Sequence, residues 1–205
     1  MKDIGNRYEI SSLTNDKVKL INSLHHRKYR RQHNLFVAEG FRICREAAEN
    51  GWEIRYLLYD NLNIDTHIIE NLINEVLCLG ADVIGVTSEI LSKISHKENP
   101  QNVLCVIDQK WSNLPTIIKD KTFVALETVR DPGNLGTILR TMDGVGATDC
   151  ILLDECTDPF SYESVRASMG AIFNVNIIAS SSEKFLKWKS RHKISLIGTS
   201  LINSN

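Results

Sequence analysis

Short apolar runs alternate with amphipathic segments through the second half of this 205-residue chain, and that alternation constrains its fold most strongly. A short, continuous apolar run is typical of a strand that a parallel sheet buries on both faces. Amphipathic segments between such runs are typical of helices that cover the sheet. The pattern therefore predicts an α/β fold built on a parallel sheet. The predicted strands are residues 123–127, 150–154, 175–179 and 194–199, and the predicted helices are residues 135–145, 162–171 and 182–190.

The junction between the first of these strands and its helix carries the strongest functional signal. It reads FVALETVRDPGNLGTILR, and its apolar run is interrupted by Asp131, Pro132, Gly133 and Asn134. Proline fixes φ, glycine tolerates positive φ and asparagine bonds neighbouring backbone, so a turn is predicted, with Arg140 following in the helix. Ligands of open α/β sheets bind where strands end, which makes this junction a candidate site. An ordinary connection in which Arg140 pairs with an acid is the alternative.

Composition excludes several classes of protein. A length of 205 residues leaves room for one large domain or two small ones, and a hydrophobic content of 42% is enough for their cores. Five scattered cysteines without a C-x-x-C pair are expected to be reduced thiols, with neither disulfides nor a metal site. No apolar run reaches membrane-spanning length and no signal peptide opens the chain, so a cytoplasmic protein without membrane contact is expected. The dinucleotide, phosphate-loop and nucleophile-elbow motifs are also missing, which disfavours those enzyme classes.

A basic segment near the start of the chain predicts contact with RNA. The net charge is only −1, yet residues 25–33 read HHRKYRRQH. A helix of this composition offers cations to phosphates and an aromatic ring to an unstacked base. A solvated helix face is the alternative interpretation of an isolated run of charge.

Two sequence motifs in the second half of the chain resemble those of a known family. NLGTILRT (residues 134–141), preceded by DPG, and VRASMGAIF (residues 165–173) resemble the first signature of the SpoU, or TrmH-like, RNA ribose 2′-O-methyltransferases. These enzymes belong to the SPOUT class, whose catalytic domain is a parallel-sheet α/β knot. The resemblance implies that S-adenosylmethionine donates a methyl group to a ribose 2′-hydroxyl.

The first half resembles the small RNA-binding domain of the same family. The basic segment is followed by FVAEG (residues 36–40), an amphipathic stretch (41–49) and a strand-like run (54–59), and SHKENPQNVLCV (95–106) resembles the closing segment of that domain. In the family this domain has a compact α/β fold like that of certain ribosomal proteins. The resemblance, together with a polar, proline-containing stretch, divides the chain into an RNA-binding domain (1–107), a linker (108–121) and a partial SPOUT domain (122–205).

The resemblance also implies a set of site residues. Asn134 and Arg140 match the catalytic signature, and Thr199 and Ser200 match positions that contact the cofactor. Because arginine stays protonated, we expect Arg140 to clamp an RNA phosphate and stabilise the developing alkoxide instead of acting as a free base. Ribosomal RNA is the preferred substrate over transfer RNA. The predicted RNA-binding residues are Arg27, Lys28, Arg30, Arg31, Glu39, Arg42, Arg166 and Ser168.

The chain departs from the family after its last predicted strand. A GNEG-like loop and an IPM word followed by SLNVS do not occur. In the family these segments form the knot, most of the cofactor pocket and much of the homodimer interface. The sequence therefore predicts a C-terminally incomplete catalytic domain with an exposed sheet edge, and a homodimer for the complete family member. The alternative function is an inactive or truncated RNA-binding protein that keeps the basic surface.

Overall fold

Two sheets organise the chain in the computed structural model, which describes residues 4–118 and 121–199. The first sheet contains β1 (Arg7–Ile10), β2 (Leu35–Glu39), β3 (Ile54–Asp60), β4 (Asp82–Val86) and β5 (Val103–Asp108). The second contains β6 (Phe123–Glu127), β7 (Asp149–Leu153) and β8 (Asn176–Ser180). The helices of the first half are α1 (Asp16–Ser23), α2 (Arg27–His33), α3 (Phe41–Glu49), α4 (Thr66–Cys78) and α5 (Ser88–Ser95). Those of the second half are α6 (Pro132–Gly144), α7 (Tyr162–Ser168) and α8 (Ser182–Arg191), with a 3₁₀ turn at Ala171–Phe173.

The first sheet has the strand order β1-β4-β3-β5-β2 and mixes parallel with antiparallel pairs. Strands β1, β4 and β3 run parallel, whereas β5 runs antiparallel to both of its neighbours. The strand-like run at 54–59 and the amphipathic stretch at 41–49 are confirmed as β3 and α3. Strand β1 was not predicted, because its short sequence buries only Ile10 and is stabilised by pairing with a distant strand.

The second sheet is parallel, with the order β6-β7-β8, as the alternation predicts. Strand β6 has the predicted bounds, and β7 and β8 lie within one residue of theirs. Helix α6 begins earlier than residue 135 because the side chain of Asp131 caps it and Pro132 fits its first turn. Helix α7 ends before residue 171, because Met169 and Gly170 adopt left-handed backbone with φ of 49° and 101°.

The fourth predicted strand of this half, residues 194–199, is wrong. Lys193 adopts a φ of 54° after α8, and the segment that follows is irregular. It lines a cleft of about 860 Å³ whose other wall includes β6, so the two are not hydrogen bonded as neighbouring strands. Ile197 is 93% exposed, although its apolar character had suggested a buried strand.

An aromatic cluster joins the two sheets into one core. Phe36 on β2 and Trp52 after α3 contact Phe160 and Phe173, which lie on either side of α7. The ring centroids of Phe36 and Phe160 are 4.9 Å apart, and those of Trp52 and Phe173 are 5.3 Å apart. The indole N–H of Trp52 also donates to the carbonyl oxygen of Phe173 at 3.0 Å. Each buried aromatic pair stabilises the fold by about 0.5–1.5 kcal/mol beyond its area burial, so we expect the two sheets to behave as one body.

A buried ion pair crosses the same boundary. Arg30 on α2 is only 4% exposed, and its Nε and Nη2 donate to Asp158 Oδ2 at 3.0 and 2.8 Å. Its Nη1 donates to the carbonyl oxygens of Leu24 and His25, both at 2.8 Å. The guanidinium is thus compensated by a carboxylate and by backbone, as a buried charge requires.

Helices α6 and α7, which carry the two motif words, pack at Gly136. A Cβ added there would lie 2.4 Å from the Cβ of Ala167 and 2.7 Å from the backbone nitrogen of Ser168. Such distances are far inside van der Waals contact, so glycine is what allows the two helices to approach. The two motif segments, residues 134–141 and 165–173, are therefore neighbours in space.

We predict that Arg30→Met destabilises the protein strongly and Arg31→Met does not. The first change leaves Asp158 buried without its partner, which costs about 3–5 kcal/mol in buried pairs. Arg31 is an exposed neighbour on the same helix, where a substitution changes stability by less than about 0.5 kcal/mol. Urea denaturation followed by circular dichroism measures both, and equal unfolding free energies for the two variants would refute the structural role of Arg30.

We also predict opposite effects of adding a methyl group at two positions of α6. Gly136→Ala is expected to lower the unfolding free energy by about 1–3 kcal/mol, because it overpacks the contact with α7. Gly144→Ala is the matched control: a Cβ there meets no heavy atom within 4 Å, and alanine favours helix by up to about 1 kcal/mol. Thermal melts compare the two, and a stable Gly136→Ala protein would contradict the close packing.

Candidate functional site

The loop between β6 and α6 is tied to the loop that follows β7. The backbone nitrogen of Thr157 donates to the carbonyl oxygen of Val129 at 2.7 Å, and Cys156 Sγ donates to that of Leu126 at 3.2 Å. Thr128 has a φ of 55°, which is rare for a β-branched residue and turns the chain sharply at the end of β6. These contacts hold the first turn of α6 at the carboxyl edge of the second sheet, where ligands of such sheets bind.

Helix α6 presents both predicted catalytic residues to solvent. Leu135 and Leu139 are buried against the core, while Asn134 and Arg140 are exposed. Arg140 follows Asn134 by six positions, so their Cα atoms differ by about 9 Å along the axis and by about 120° around it. The exposed Thr137 lies between them on the helix surface. One surface of α6 therefore offers an amide and a guanidinium, and the hydroxyl of Thr137 between them donates to the carbonyl oxygen of Gly133 at 2.9 Å.

The guanidinium of Arg140 is available to a ligand. Among residues 4–118 and 121–199 it has no hydrogen-bond or ion-pair partner, so the alternative in which an acid of the chain holds it is not observed. A free guanidinium presents a planar set of donors that matches a phosphate or carboxylate in two-point contact. The backbone nitrogen of Asn134 is already used by the cap on Asp131, at 2.7 Å. Its side-chain amide is therefore the part of Asn134 that faces outward.

Burial separates the predicted RNA-binding residues into two groups. The exposed ones are Arg27, Lys28, Arg31, Arg42 and Arg166. Arg30, Glu39 and Ser168 are buried, and for these three the prediction of RNA contact is corrected.

Each of the three buried residues has an internal role. Arg30 is held by Asp158. Glu39 pairs with Lys97 at 2.6 Å and accepts from the backbone nitrogen of Gln101 at 2.7 Å. These two contacts connect the FVAEG motif to the SHKENPQ motif. Ser168 is fully buried, and its Oγ donates to the carbonyl oxygen of Val165 at 2.8 Å.

The histidine at the start of the basic segment is held by contacts within the fold. The half-buried ring of His25 stacks on His96 with centroids 3.8 Å apart, and its Nε2 donates to the carbonyl oxygen of Ile94 at 2.5 Å. Burial is the main reason that the pKa of His25 lies below its ordinary value, with the charge of His96 acting in the same direction. Burial therefore disfavours the charged form of His25.

Two adjoining clefts lie between α2 and the carboxyl edge of the second sheet. The first cleft has a volume of about 360 Å³, and its lining residues include Arg27, Arg31, Trp111, Asp154 and Lys184. We call it the Trp111 cleft. The neighbouring cleft of about 430 Å³ shares Arg27 and Asp154 and adds Arg130 and Glu155. Sequence reasoning missed Trp111 and Lys184; an exposed tryptophan in the polar stretch after β5 was the available signal.

The predicted cofactor residues lie on another side of the second sheet. Thr199 is exposed and lines the cleft of about 860 Å³ beside β6, while Ser200 lies outside the described residues. This volume is within the range of about 300–1,000 Å³ typical of small-molecule sites. Phe123, Leu126 and Leu153 supply apolar walls, and β6 is an edge strand whose outward backbone groups can bond a ligand. In size and donor type these residues fit S-adenosylmethionine.

Metal and membrane sites are not found in the part of the chain that the structure describes. None of its groups of histidine, cysteine, aspartate and glutamate is arranged to hold a metal ion. None of its helices is long and apolar enough to cross a bilayer. All five cysteines are free thiols, and burial raises the pKa of Cys150 to about 12.

Comparison with known families accounts for both halves of the chain. The model of the MRM3-like substrate binding domain matches residues 15–105, and that of the SpoU rRNA methylase family matches residues 121–205. A curated relative from Bacillus subtilis (strain 168) is the 23S rRNA (guanosine(2553)-2'-O)-methyltransferase RlmP. It is 27% identical over 195 residues, which cover 95% of this chain and 74% of the relative.

Solved structures show the same similarity. An AdoMet-bound rRNA methyltransferase from Sinorhizobium meliloti is 39% identical with a TM-score of 0.83, and the match covers 91% of this chain and 69% of that one. The SpoU methyltransferase AviRb from Streptomyces viridochromogenes, in complex with AdoMet, is 25% identical with a TM-score of 0.78. Its match covers 87% of this chain and 68% of that one. Coverage of this extent includes parts of both sheets and of the helices between them.

Proposed function

This chain belongs to the SpoU rRNA methylase family, and from that premise we propose that it methylates a ribose 2′-hydroxyl of ribosomal RNA, with S-adenosylmethionine as donor. The observation that carries the proposal is the free guanidinium of Arg140 on α6, within the family's signature. Arg140 lies on the helix whose first turn is held at the carboxyl edge of a parallel sheet, in a chain 39% identical to an AdoMet-bound rRNA methyltransferase.

The reaction needs a weak nucleophile to be positioned and charge to be stabilised. S-adenosylmethionine supplies the methyl group when it is bound, and Thr199 together with the edge of β6 would hold it. A ribose hydroxyl is a poor nucleophile at neutral pH and must be oriented as its proton leaves. Arg140 stays protonated, so its role is to clamp the adjacent phosphate and stabilise the developing alkoxide. The proton leaves through phosphate or water, and the exposed amide of Asn134 helps to orient the ribose.

We propose that the two halves of the chain divide this task. Residues 1–107 hold structured RNA through the exposed cations of α2 and through Arg42, 108–121 link the halves, and 122–205 carry the chemistry. The ranges of the two family models support this division. The exposure of Arg166 on α7, the helix packed against α6, supports a further contact with the RNA backbone. We place the reaction in the cytoplasm, as expected of an enzyme of ribosome assembly.

We further propose that the active protein is a homodimer that uses the helix pair α6 and α7. Val145 after α6 and Met169 after α7 are 75% and 52% exposed, and apolar side chains so placed favour burial against a second copy. Sedimentation equilibrium is expected to give twice the chain mass, and Val145→Asp to shift it toward the monomer. A wild-type protein that stays monomeric at micromolar concentration would overturn this part of the proposal.

We predict that Arg140→Lys reduces methyl transfer by at least about 100-fold, because a point charge cannot replace the two-point contact of a guanidinium with phosphate. Transfer of labelled methyl groups from S-adenosylmethionine to ribosomal RNA transcripts measures it. Arg191→Lys, an exposed change at the end of α8, is the matched control and is expected to leave turnover unchanged.

Calorimetric titration of S-adenosylmethionine separates the possible failures. Unchanged cofactor affinity in Arg140→Lys is expected, since Arg140 contacts RNA in this mechanism. Near-normal turnover in that variant would overturn the phosphate clamp. A folded wild-type chain that binds RNA but neither binds the cofactor nor transfers methyl groups would favour the alternative, an RNA-binding protein that lacks catalysis.

A further inference from the structure

The Trp111 cleft is built from both halves of the chain. Arg27 and Arg31 lie four residues apart on α2, Trp111 follows β5, and Lys184 lies in the first turn of α8. The volume of the cleft is about 360 Å³, at the lower end of the range for small-molecule sites. Such a space suits one base or one nucleotide.

The indole of Trp111 is fixed and yet open. Its Nε1 donates to Gln109 Oε1 at 3.0 Å, and its ring meets Phe160 edge to face, with centroids 5.0 Å apart and planes at 84°. Gln109 is itself buried, and its amide donates to the carbonyl oxygens of Arg30 and Leu35. Despite these contacts Trp111 is 42% exposed. A ring already held in place loses little conformational entropy when a base stacks on it.

The cations around the indole are available to a phosphate. Arg27, Arg31 and Lys184 have no side-chain hydrogen bond or ion pair within the described part of the chain. The carboxylate that faces them, Asp154, already accepts from the hydroxyl and the backbone nitrogen of Ser182. Three cations therefore surround one carboxylate that is already engaged, which leaves the cleft positive overall.

We propose that the Trp111 cleft binds one unpaired nucleotide of the RNA substrate, with its base stacked on Trp111 and its phosphates held by Arg27, Arg31 and Lys184. The proposal rests on the RNA methyltransferase function above and adds a contact site to it. Aromatic rings beside basic groups are the general means by which proteins hold single-stranded RNA. A base is preferred to an apolar ligand because the indole is ringed by free cations.

The position of the cleft gives this nucleotide a direction. The adjoining cleft shares Arg27 and Asp154 with the Trp111 cleft and reaches Arg130, just before the turn that starts α6. An RNA strand whose base is stacked on Trp111 therefore runs along the carboxyl edge of the sheet toward the helix that carries Arg140. Glu155 lies 3.8 Å from Arg130, so this stretch is less positive than the Trp111 cleft and favours passage of the strand over tight capture.

The test measures stacking directly in the full chain. A single-stranded RNA heptamer carries 2-aminopurine, whose fluorescence is quenched on stacking, and a terminal dye reports affinity by anisotropy. We expect Trp111→Leu to abolish the quench and to raise the Kd about fivefold or more, and Trp111→Phe to restore most of both. The double variant Arg27→Ala/Arg31→Ala is expected to make the negative slope of log K against log salt shallower by about 1.4. Arg45→Ala, an exposed change on α3, is the matched control.

Each outcome decides the proposal. Equal affinity and equal quench in wild type and Trp111→Leu would overturn it, as would a wild-type chain that does not bind the heptamer. The cation variant keeps the test valid if Trp111→Leu unfolds, because Arg27 and Arg31 hold no other part of the fold. Methyl transfer is measured on the same samples. If methyl groups are transferred but RNA binding does not depend on Trp111, the proposed nucleotide site is wrong and the methyltransferase function stands. If binding depends on Trp111 but no methyl group is transferred, the site stands and the methyltransferase function is wrong.

Discussion

Burial of four aromatic rings between the two sheets is the interaction on which the rest of the structure depends. Phe36 and Trp52 from the first half and Phe160 and Phe173 from the second share one apolar cluster. Because β2 carries Phe36 and directly follows α2, the cluster also sets where α2 lies. The Arg30–Asp158 pair then fixes the rotation of α2, so that its free arginines face the carboxyl edge of the second sheet. The basic surface is thus a product of the core.

The sequence predicted the second sheet well, because its signals are local. A short apolar run followed by Asp-Pro-Gly-Asn predicts a strand and then a helix without reference to any distant residue. Strand β6 has the predicted bounds, and α6 begins at Pro132, inside the predicted turn. Strand β1 and the segment 194–199 depend on what lies beside them. The first gains a partner in β4, and the second lies across a cleft from β6. Composition cannot show which of two such segments forms backbone hydrogen bonds with the edge strand of a sheet.

The candidate site could be predicted only in part for a similar reason. Arg30 and Arg31 are identical neighbours in a basic run, yet Asp158, far along the chain, buries one and leaves the other exposed. Glu39 matched a family word, and its actual partners lie in a second word of the same domain. Trp111 had no charge pattern or motif around it; its value arises from Phe160 and the cations that the fold brings to it. Residue type indicated the chemistry, and burial decided which residues perform it.

The shared core has a consequence for how an RNA is chosen. Since the two halves are packed together, the spacing between α2 and α6 is set before any RNA arrives. Under the proposed function, an RNA that reaches both must already have a matching shape, or must bend and unstack to acquire one. The energy of that deformation depends on the sequence and folding of the RNA itself. A stiff protein therefore discriminates between RNAs at nucleotides that none of its side chains touch.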